Sequence, residues 1–507
     1  MAKSSQRPLP NRPEVNTSID GDVTAVRRKL GAWIRDTHAF IRIEGNDVAT
    51  WLQSQTSNDV VALQPGQGHA NTILDRKGRL QAHFTVHRWD DEFWLIVENQ
   101  QKAALLKQLD DHLFLEDVQI HDATEEVEQL VVQGPRTRYF LASLLTSGDA
   151  SDNFPGTPYG CHPIEIAGHQ MLAFQISETG EDGFVLVTQQ SEARPLLDKF
   201  LEAGRKFDLR EISPEAQNVL RVEAGIPRFG IDMDITNRLP ETTLERDAVS
   251  YDKGCYLGQE VIAKLRTYSS VKHAVVGLVL EVGEFPPINT RLHSGAIDIG
   301  ILKSSAFSPM LETPIALAYI DRDHRAPGTL LELNALDAKP FRARVVVLPF
   351  HHPLSRIDRA RMLYDNALNL FDRDARDEDD TAIELLREAV LLDPKFEDAY
   401  EALGVILNRH HRVDEAIHYM TILERLNPDS VMAHTNLSVF YVAKGMIEAA
   451  EEEKAKAAVL QMKHARVARE AEDIAAAERE RIQREARERI AMFAEVLEFD
   501  PDDPLAT

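Results

Sequence analysis

KGCYLGQE, residues 253–260, contains Cys255, one of only two cysteines in a chain of 507 residues. Glycines flank the cysteine and would let a ligand approach the backbone, and the run that follows has the pattern of a helix. Helix N-termini and neighbouring cations lower the pKa of a thiol, so Lys253 and a helix beginning near Gly258 would activate Cys255. A free cysteine is also often buried in a turn. The segment alone leaves a reactive thiol and a buried thiol equally open.

The bulk composition is that of a multidomain globular protein. A chain of 507 residues is too long for one hydrophobic core and predicts roughly two to four domains. Hydrophobic residues make up 43% and charged residues 27% of the chain, which is ordinary for soluble proteins. The net charge of −25 argues against direct binding to nucleic acid or to an anionic membrane, because an acidic surface repels phosphate.

The two cysteines, Cys161 and Cys255, are too few for a disulfide framework and fit a reducing compartment. An iron–sulfur cluster takes about four cysteine ligands, so this chain by itself cannot hold one in that way. No apolar run approaches the roughly 20 residues of a membrane span, and the N-terminal residues lack the apolar core of a secretory signal. We therefore expect a cytoplasmic protein.

The first two thirds of the chain predict an α+β fold. Residues 1–20 are rich in proline and polar residues and predict a flexible arm. In residues 21–273, helical patterns alternate irregularly with apolar runs of strand length, which indicates α+β layers rather than a regular βαβ series. These runs are FWLIVE (93–98), QLVVQG (129–134), MLAFQIS (171–177) and FVLVT (184–188). Residues 274–350 are almost entirely strand-like, with glycine and proline in the turns, and predict a small β-barrel or sandwich.

The last third of the chain predicts an all-α repeat domain after a linker at residues 351–360. Two residue types recur at intervals of 34, namely Ala382, Ala416 and Ala450, and Pro394 and Pro428. A helix–turn–helix unit of 34 residues is the tetratricopeptide signature, in which small residues let paired helices approach. We therefore interpret residues 361–460 as tetratricopeptide repeats. Residues 461–507 have alternating charges and few large apolar side chains, which predicts a long charged helix and a tail.

Four segments, in order along the chain, resemble one known family. KGCYLGQE resembles the K-G-C-[FY]-x-G-Q-E motif of the YgfZ family, folate-binding proteins related to the glycine-cleavage T-protein, an aminomethyltransferase. LRVEAGIPRFGIDMD (220–234) and TGEDGF (179–184) look like two further segments of that family. The region from GILKSSAF (300–307) to VVVLPF (345–350) looks like its C-terminal barrel. The resemblance implies a T-protein-like fold with three subdomains around a channel for a reduced folate.

The resemblance also implies a set of site residues. Glu181 of TGEDGF would accept N–H bonds from the pterin, although this segment also has the composition of a turn. Arg221 would pair with a ligand carboxylate or hold a core carboxylate such as Glu223. Asn58 or Asp59 would line the channel, or would simply end a helix. The thiol motif comprises Cys255, as the catalytic candidate, with Lys253, Gly254, Tyr256, Gly258, Gln259 and Glu260. The implied cofactor is tetrahydrofolate or a one-carbon derivative of it.

The chain departs from the family patterns in two places. The T-protein carries paired aspartates in a GGIxDDL-like segment, and alignment on residues 73–88 places Ala82 and His83 there. The missing carboxylates argue against aminomethyl transfer and favour the YgfZ branch. That branch usually has arginine where this chain has Lys264, and Arg266 cannot occupy the same helical face.

Three histidines, His69, His83 and His87, share one stretch near an aspartate. A metal site needs its ligands on one face with a defined geometry. The surrounding pattern is that of a strand, on which His83 and His87 would lie about 13 Å apart along the chain. We therefore expect no metal site there.

By resemblance, the leading hypothesis is a tetrahydrofolate-binding accessory factor for iron–sulfur cluster assembly or repair, including the clusters of tRNA-modifying enzymes. Cys255 would exchange with a cluster sulfur, a persulfide or a partner cysteine. The expected partners are iron–sulfur client or assembly proteins, and a peptide or helix in the repeat groove, with His434, Asn436 and Tyr441 as candidate contacts. Two alternatives stay open: a folate-dependent one-carbon (aminomethyl) transferase, and a non-enzymatic scaffold that acts through its repeats.

Overall fold

The chain folds into two compact units, with the division between Leu354 and Ser355. A computed structural model describes residues 17–145, 154–268, 271–281, 285–335, 338–371 and 376–496. The division falls inside the stretch predicted as linker, and the first helix of the second unit begins there, at Arg356. The predicted N-terminal arm includes the first turn of a helix that begins at Thr17, and the rest of the arm lies outside the described residues.

The first unit begins with a five-stranded antiparallel sheet. The elements of this region are α1 (Thr17–Arg28), β1 (Gly31–Ile34), β2 (His38–Glu44), α2 (Val48–Gln55), β3 (Gly68–Leu74), β4 (Leu80–Trp89), β5 (Glu92–Glu98), α3 (Asn99–Asp110) and β6 (Gln119–Asp122). The strand order is β3-β4-β5-β2-β6, and β1 belongs to the next sheet. Alternate residues of β4, including Ala82 and Phe84, pack in a core with side chains of α2 and α3. His83 therefore lies on the other face of the sheet.

A second sheet combines β1 with five later strands. The elements are β7 (Val127–Gln133), α4 (Thr137–Ala142), β8 (Cys161–Ile166), β9 (His169–Phe174), β10 (Gly183–Gln189), α5 (Ala193–Ala203), β11 (Arg210–Glu211) and α6 (Pro214–Glu223). The order is β11-β1-β7-β10-β9-β8, and only the short β1–β11 pair is parallel. The four apolar runs predicted as strands correspond to β5, β7, β9 and β10, so the α+β prediction is confirmed.

The first unit ends in a closed six-stranded barrel. The elements are α7 (Glu245–Ala248), α8 (Gln259–Tyr268), β12 (His273–Glu281), β13 (Arg291–Ser294), β14 (Ile297–Ser308), β15 (Thr313–Asp321), β16 (Leu330–Ala335) and β17 (Ala338–Val346). The strands close in the order β12-β15-β14-β13-β16-β17. Of the barrel and the sandwich that the sequence predicts, the barrel is therefore confirmed.

One buried cluster joins the parts of the first unit. It contains Trp33 and Phe40 from the two sheets, Leu220 from α6, and Ala306 and Leu317 from the barrel. Burying a side chain of the size of leucine or phenylalanine contributes about 1.5–3 kcal/mol. Arg221 and Glu223 belong to the same helix as Leu220, so the packing of α6 in this cluster also fixes the positions of these two charged residues.

The second unit is entirely helical in its described residues. Its helices are α9 (Arg356–Phe371), α10 (Arg376–Leu392), α11 (Glu397–Arg409), α12 (Val413–Leu426), α13 (Val431–Ala443) and α14 (Ile447–Val496). The starts of α11 and α13, and those of α12 and α14, are each separated by 34 residues. This geometry is consistent with the predicted all-α repeat domain. The long charged helix begins at Ile447, earlier than predicted, because its first turns pack against α13.

Small residues allow the close helix packing that the repeat pattern predicts. Ala382, Ala416 and Ala450 are all buried. A Cβ atom on Gly404 of α11 would lie 2.5 Å from the Met420 methyl carbon of α12, so an alanine there would require the Met420 side chain to move. Among the described residues no helix could span a membrane, since the longest one, α14, is rich in charged residues.

Candidate functional site

The thiol motif forms an exposed two-residue loop between two buried anchors. Gly254 and Cys255 are exposed, whereas Lys253 and Tyr256 on either side are only 8% and 7% exposed. The Tyr256 ring packs with Leu74, Leu80 and other side chains of a small apolar cluster. The alternative of a buried cysteine in a turn is therefore wrong for Cys255.

Lys253 anchors the loop through three backbone carbonyls. Its ammonium group donates to the oxygens of Gln53 (2.7 Å), Thr56 (2.7 Å) and Asn58 (2.9 Å). Burial lowers the pKa of Lys253 to about 8, and the Asp59 carboxylate opposes that shift. Because the three N–H groups all have acceptors, Lys253 ties the motif to the end of α2. This arrangement gives Lys253 an anchoring role that the sequence did not predict, and its activation of the neighbouring thiol stays a prediction.

Gly258 sets the path of the chain into α8. The helix begins at Gln259, close to the predicted start, so Cys255 lies four residues before it. Gly258 has a φ of +86°, and a Cβ atom there would lie 2.6 Å from the Asp75 carbonyl oxygen. By contrast, nothing lies within 4 Å of a Cβ atom placed on Gly254. The two glycines of the motif therefore have different roles, and only Gly258 is required for packing.

We expect Gly258→Ala to lower the free energy of unfolding of the first unit by about 2–4 kcal/mol. The left-handed backbone costs an alanine about 1–2 kcal/mol, and the close contact with a backbone oxygen adds a similar amount. The matched change Gly254→Ala should cost less than about 0.5 kcal/mol. Urea denaturation followed by tryptophan fluorescence measures both, since all four tryptophans lie in the first unit. Equal losses in the two variants would contradict the distinction.

The remaining motif residues lie at the beginning of α8. Glu260 is exposed and accepts a hydrogen bond from Lys264 at 2.6 Å, which lowers the pKa of Glu260. Gln259 is half-buried beside it. The Arg266 guanidinium lies 4.0 Å from the centre of the Tyr251 ring. Lys264, the departure from the family pattern, therefore makes a surface ion pair with Glu260, which lies one helical turn earlier in α8.

Cys161, in contrast to the exposed Cys255, is buried. It is 2% exposed on β8, and burial raises the pKa of its thiol to about 12. Its Sγ atom lies 3.5 Å from the Arg88 carbonyl oxygen. A buried thiol with a raised pKa is inert, so Cys255 is the accessible thiol of this chain.

Asn58 and Asp59 are held by other parts of the protein. The Asn58 amide donates to the carbonyl oxygens of Ala70 (2.9 Å) and Asp247 (3.1 Å), and its side-chain oxygen accepts from the Asp59 amide at 2.9 Å. The Asp59 carboxylate accepts from the Gln53 side chain at 2.9 Å. These contacts match the interpretation that the segment ends a helix, and its role in a ligand channel stays a prediction.

Glu181 belongs to a buried ionic cluster. Its Oε1 atom accepts from Arg27 at 3.2 Å and lies 2.7 Å from Nε2 of His351. Arg27 also donates to Glu223 (2.8 Å) and to the Thr179 carbonyl oxygen (2.6 Å). The second oxygen of Glu181, Oε2, makes no hydrogen bond with any described residue. The cluster therefore fixes one oxygen of the carboxylate and leaves the other able to accept an N–H group.

Arg221 is engaged within the protein. Its guanidinium donates to Asp232 (2.6 Å), Ser304 (2.8 Å) and Asn218 (3.0 Å). Burial lowers the pKa of Arg221, and the Asp232 carboxylate opposes that shift. Arg221 thus ties α6 to barrel strand β14. The core carboxylate that it holds is Asp232, whereas Glu223, which the sequence suggested, is held by Arg27.

The positions that align with the catalytic aspartates carry no negative charge. Ala82 is 2% exposed and lies in the core of the first sheet. His83 lies on the opposite face, and burial lowers its pKa to about 4. A histidine with that pKa is neutral at pH 7, so it cannot replace the charge of a carboxylate. His87, four residues further along β4, has both ring nitrogens 2.8 Å from protein oxygens.

A group with metal-ligand spacing occurs instead in the second unit. In the part of that unit that the structure describes, ligand atoms of Glu424, His434 and Glu453 lie within 4.8 Å of one another. The Nδ1 atom of His434 is 2.6 Å from Glu453, and Lys456 donates to the same carboxylate at 2.8 Å. Ion pairing therefore accounts for this group. His434 is 3% exposed, so its predicted contact with a peptide in the groove is wrong.

Arg228 is a functional candidate that the sequence did not single out. It is half-buried, and within the described residues its side chain has no hydrogen bond or ion pair. Burial and the charges of Arg35 and Arg228 together lower the pKa of His38. Burial raises the pKa of Glu98, and the Gln100 amide and Arg228 oppose that rise. A charge-bearing group of this kind, surrounded by ionisable residues, is suited to bind an anionic ligand.

The buried arginines of the first unit differ from Arg228 in this respect. Each of four buried arginines has a carboxylate partner, namely Arg27 with Glu223, Arg35 with Glu178, Arg138 with Asp182 and Arg221 with Asp232. Burying a charge is costly unless it is paired. Half-buried Arg79 and Arg325 also lack a side-chain hydrogen bond or ion pair among the described residues. Arg228 is singled out as a candidate for binding an anionic ligand by its electrostatic interactions with His38 and Glu98.

The predicted site residues form two groups. Lys253 and Asn58 are joined directly, and they position the Cys255 loop. Glu181 and Arg221 are linked through α6, because Arg27 bridges Glu181 to Glu223. No hydrogen bond or ion pair between the two groups occurs in the ranges that the structure covers.

Comparison with known proteins agrees with this architecture. The GCVT N-terminal domain matches residues 4–253, and the glycine cleavage T-protein C-terminal barrel domain matches residues 274–351. The structure of glycine cleavage system aminomethyltransferase T from Bartonella henselae has a TM-score of 0.58 and 21% identity, and covers 68% of this chain and 92% of that one. The predicted T-protein-like fold with a C-terminal barrel is therefore confirmed.

Two curated relatives are aminomethyltransferases. That of Thermus thermophilus is 30% identical over 319 residues, which cover 61% of this chain and 85% of the relative. That of Thermoanaerobacter pseudethanolicus is 26% identical over 340 residues, or 66% of this chain and 89% of the relative. The two family models lie within the first unit. The chain thus belongs to the glycine cleavage T-protein family.

Proposed function

We propose that this protein is a tetrahydrofolate-binding accessory factor of the YgfZ branch, which uses Cys255 in the assembly or repair of iron–sulfur proteins. The observation that carries the proposal is the exposed Gly254–Cys255 loop, held between the buried anchors Lys253 and Tyr256. An exposed loop held at both ends can present a thiol to a partner protein, whereas a structural cysteine would be buried in the core. The second unit would recruit the client protein.

The residues of the first unit fit a reduced folate. A pterin presents an N–H edge, for which the free oxygen of Glu181 is a suitable acceptor. The glutamate tail of a folate is anionic and suits the unpaired Arg228 guanidinium. Two buried indole N–H groups, on Trp33 and Trp94, also have no acceptor among the described residues. When bound, the folate would supply a carrier of one-carbon units.

The proposed chemistry of Cys255 is sulfur exchange. The Cys255 thiolate attacks the outer sulfur of a persulfide on a partner protein, and a new S–S bond forms at Cys255. The S–S bond of the donor breaks, and the donor leaves as a thiolate. One sulfur atom moves and no net oxidation occurs, so no further reactant is needed. This step requires a thiol that a partner protein can reach, and Cys255 is exposed.

Tetrahydrofolate titration of the wild type and of Glu181→Gln tests the cofactor assignment. The amide retains an oxygen that can accept a hydrogen bond but has no charge, so we expect affinity to fall about fivefold to tenfold, less than for the loss of a whole charge-assisted hydrogen bond. Quenching of tryptophan fluorescence reports binding, because Trp33, Trp89 and Trp94 belong to or pack against the central cluster. Absence of saturable binding to the wild type would overturn the proposal. Thermal denaturation of the variant controls for loss of the Arg27 contact.

Aminomethyl transfer is the second candidate, favoured by the names of the relatives. Against it, Ala82 and His83 provide no carboxylate at the positions that align with the catalytic pair. An assay with 5,10-methylene-tetrahydrofolate, ammonium and a reduced lipoylated carrier protein decides between the two. We expect no turnover above background, and measurable turnover would reverse the ranking.

A further inference from the structure

The second unit contains a cleft between α9 and α11. It has a volume of about 480 Å³, and Tyr364, Leu368 and Phe371 of α9 line one side. Asp398, Glu401 and Val405 of α11 line the other. A volume of this size is within the usual range of ligand pockets, so it can accept a long side chain and part of a neighbouring one.

The cleft combines an apolar wall with negative charge. Asp398 and Glu401 are three residues apart on α11 and so lie on one face of the helix. Neither carboxylate has a hydrogen bond or an ion pair with any residue that the structure describes. Burial and the charge of Asp398 raise the pKa of Glu401, and burial, Asp398 and Glu401 raise that of Tyr364. The negative charge is thus uncompensated and lies against an aromatic ring.

Among the described residues, Arg409 places a positive charge at the Phe371 end of the cleft. The Arg409 guanidinium is 5.0 Å from the centre of the Phe371 ring and also approaches Asp379. Arg409 therefore does not neutralise Asp398 and Glu401. A guest would meet a negative end beside Tyr364 and an apolar floor that leads to Phe371.

The chemistry selects one kind of guest. A lysine or arginine side chain has an aliphatic stem for Leu368 and the aromatic rings, and a cationic head for the carboxylates of Asp398 and Glu401. A purely apolar guest would desolvate these carboxylates without pairing them, and an acidic guest would be repelled. The net charge of −25 on the whole chain also favours encounter with a basic partner.

We propose that this cleft binds a segment of a partner protein that presents a lysine or arginine next to an apolar residue. The inference deepens the recruiting role proposed above and rests on it. It does not depend on the folate or thiol assignments, which concern the first unit.

Binding of short acetylated peptides to the full-length protein tests the inference. The peptides share a central Leu-Xaa-Leu in a neutral background, and Xaa is Lys, Arg, norleucine or Glu. Fluorescence anisotropy should show that the Lys and Arg peptides bind at least about tenfold more tightly than the norleucine peptide, and the Glu peptide least of all. In the double variant Asp398→Asn with Glu401→Gln, the preference for Lys and Arg should disappear.

A matched double variant, Glu451→Gln with Glu452→Gln, removes the same charge from the exposed surface of α14. It should bind the Lys and Arg peptides as the wild type does. If both double variants lost the same affinity for the Lys and Arg peptides, the net charge of the protein would explain the preference, and the inference would be overturned. Absence of binding, or equal binding of the norleucine peptide, would overturn it too.

Client capture separates this inference from the recruiting role on which it rests. If the wild type and the Asp398→Asn/Glu401→Gln variant retain an iron–sulfur client equally, recruitment stands and the cleft is not its site. If the wild type retains no client, the recruiting role itself fails.

Discussion

Cys255→Ala is expected to abolish rescue of iron–sulfur enzyme activity when the variant replaces the wild type in a deletion strain. The sulfur atom is the reacting group in the proposed exchange, and no neighbouring side chain can replace it. Activity should fall to the level of the deletion strain. The fold should be retained, because Cys255 is exposed and its loop is held by Lys253 and Tyr256 rather than by the thiol.

Cys161→Ala is the matched control for this experiment. It removes the other thiol of the chain, which is buried and has a raised pKa, so rescue should be preserved. Alkylation of the native wild-type protein, followed by intact mass measurement, should add one label, on Cys255, and unfolding should expose Cys161 to a second. Full rescue by Cys255→Ala would remove the thiol from the mechanism. Failure of both variants would point to stability instead.

The architecture was predictable because it follows from local periodicity. Apolar runs of strand length are visible in neighbouring residues, and they correspond to β5, β7, β9 and β10. The 34-residue interval is visible when successive segments of the chain are compared, and it corresponds to the helix starts of the second unit. Helix and strand periods are set by backbone geometry, which does not depend on distant contacts. The boundaries were less accurate, since α14 begins at Ile447 in contact with α13.

The site was less predictable, because the partners of its charged residues are distant in sequence. The Lys253 ammonium is bound by carbonyls about 200 residues away along the chain, so its position beside Cys255 did not reveal its anchoring role. Glu223 is held by Arg27, from α1, and not by Arg221 of its own helix. Burial of charge requires a partner, but the sequence does not say which one. Exposure of Cys255 likewise depends on the two anchors.

Arg228 was missed for the same reason. It lies in the segment AGIPRFG, which the family resemblance included, but an arginine in sequence carries no sign of whether it is paired. Only the fold reveals that four other arginines have carboxylate partners while Arg228 has none among the described residues. Whether a charge is paired depends on the whole structure, and the unpaired state of Arg228 is the basis of the next prediction.

Arg228→Gln is expected to weaken tetrahydrofolate binding by about 10-fold to 100-fold. A guanidinium that pairs with a ligand carboxylate contributes about 1.5–3 kcal/mol, and glutamine retains hydrogen-bonding capacity without charge. Isothermal titration calorimetry measures the change, and rising salt should weaken wild-type binding more than that of the variant. Arg194→Gln, at an exposed arginine that pairs with Glu211, is the charge-matched control and should bind as the wild type does.

A ligand without the glutamate tail makes the role of Arg228 specific. Tetrahydropterin has the ring system but not the carboxylates, so Arg228→Gln should leave its affinity unchanged while Glu181→Gln lowers it. Arg228→Lys, which keeps the charge but loses the planar two-pronged geometry, should give an intermediate affinity for tetrahydrofolate. Equal weakening of both ligands by Arg228→Gln would place the arginine at the ring or in the fold. The tail would then be bound by another residue, and the unpaired guanidinium would require a different anion.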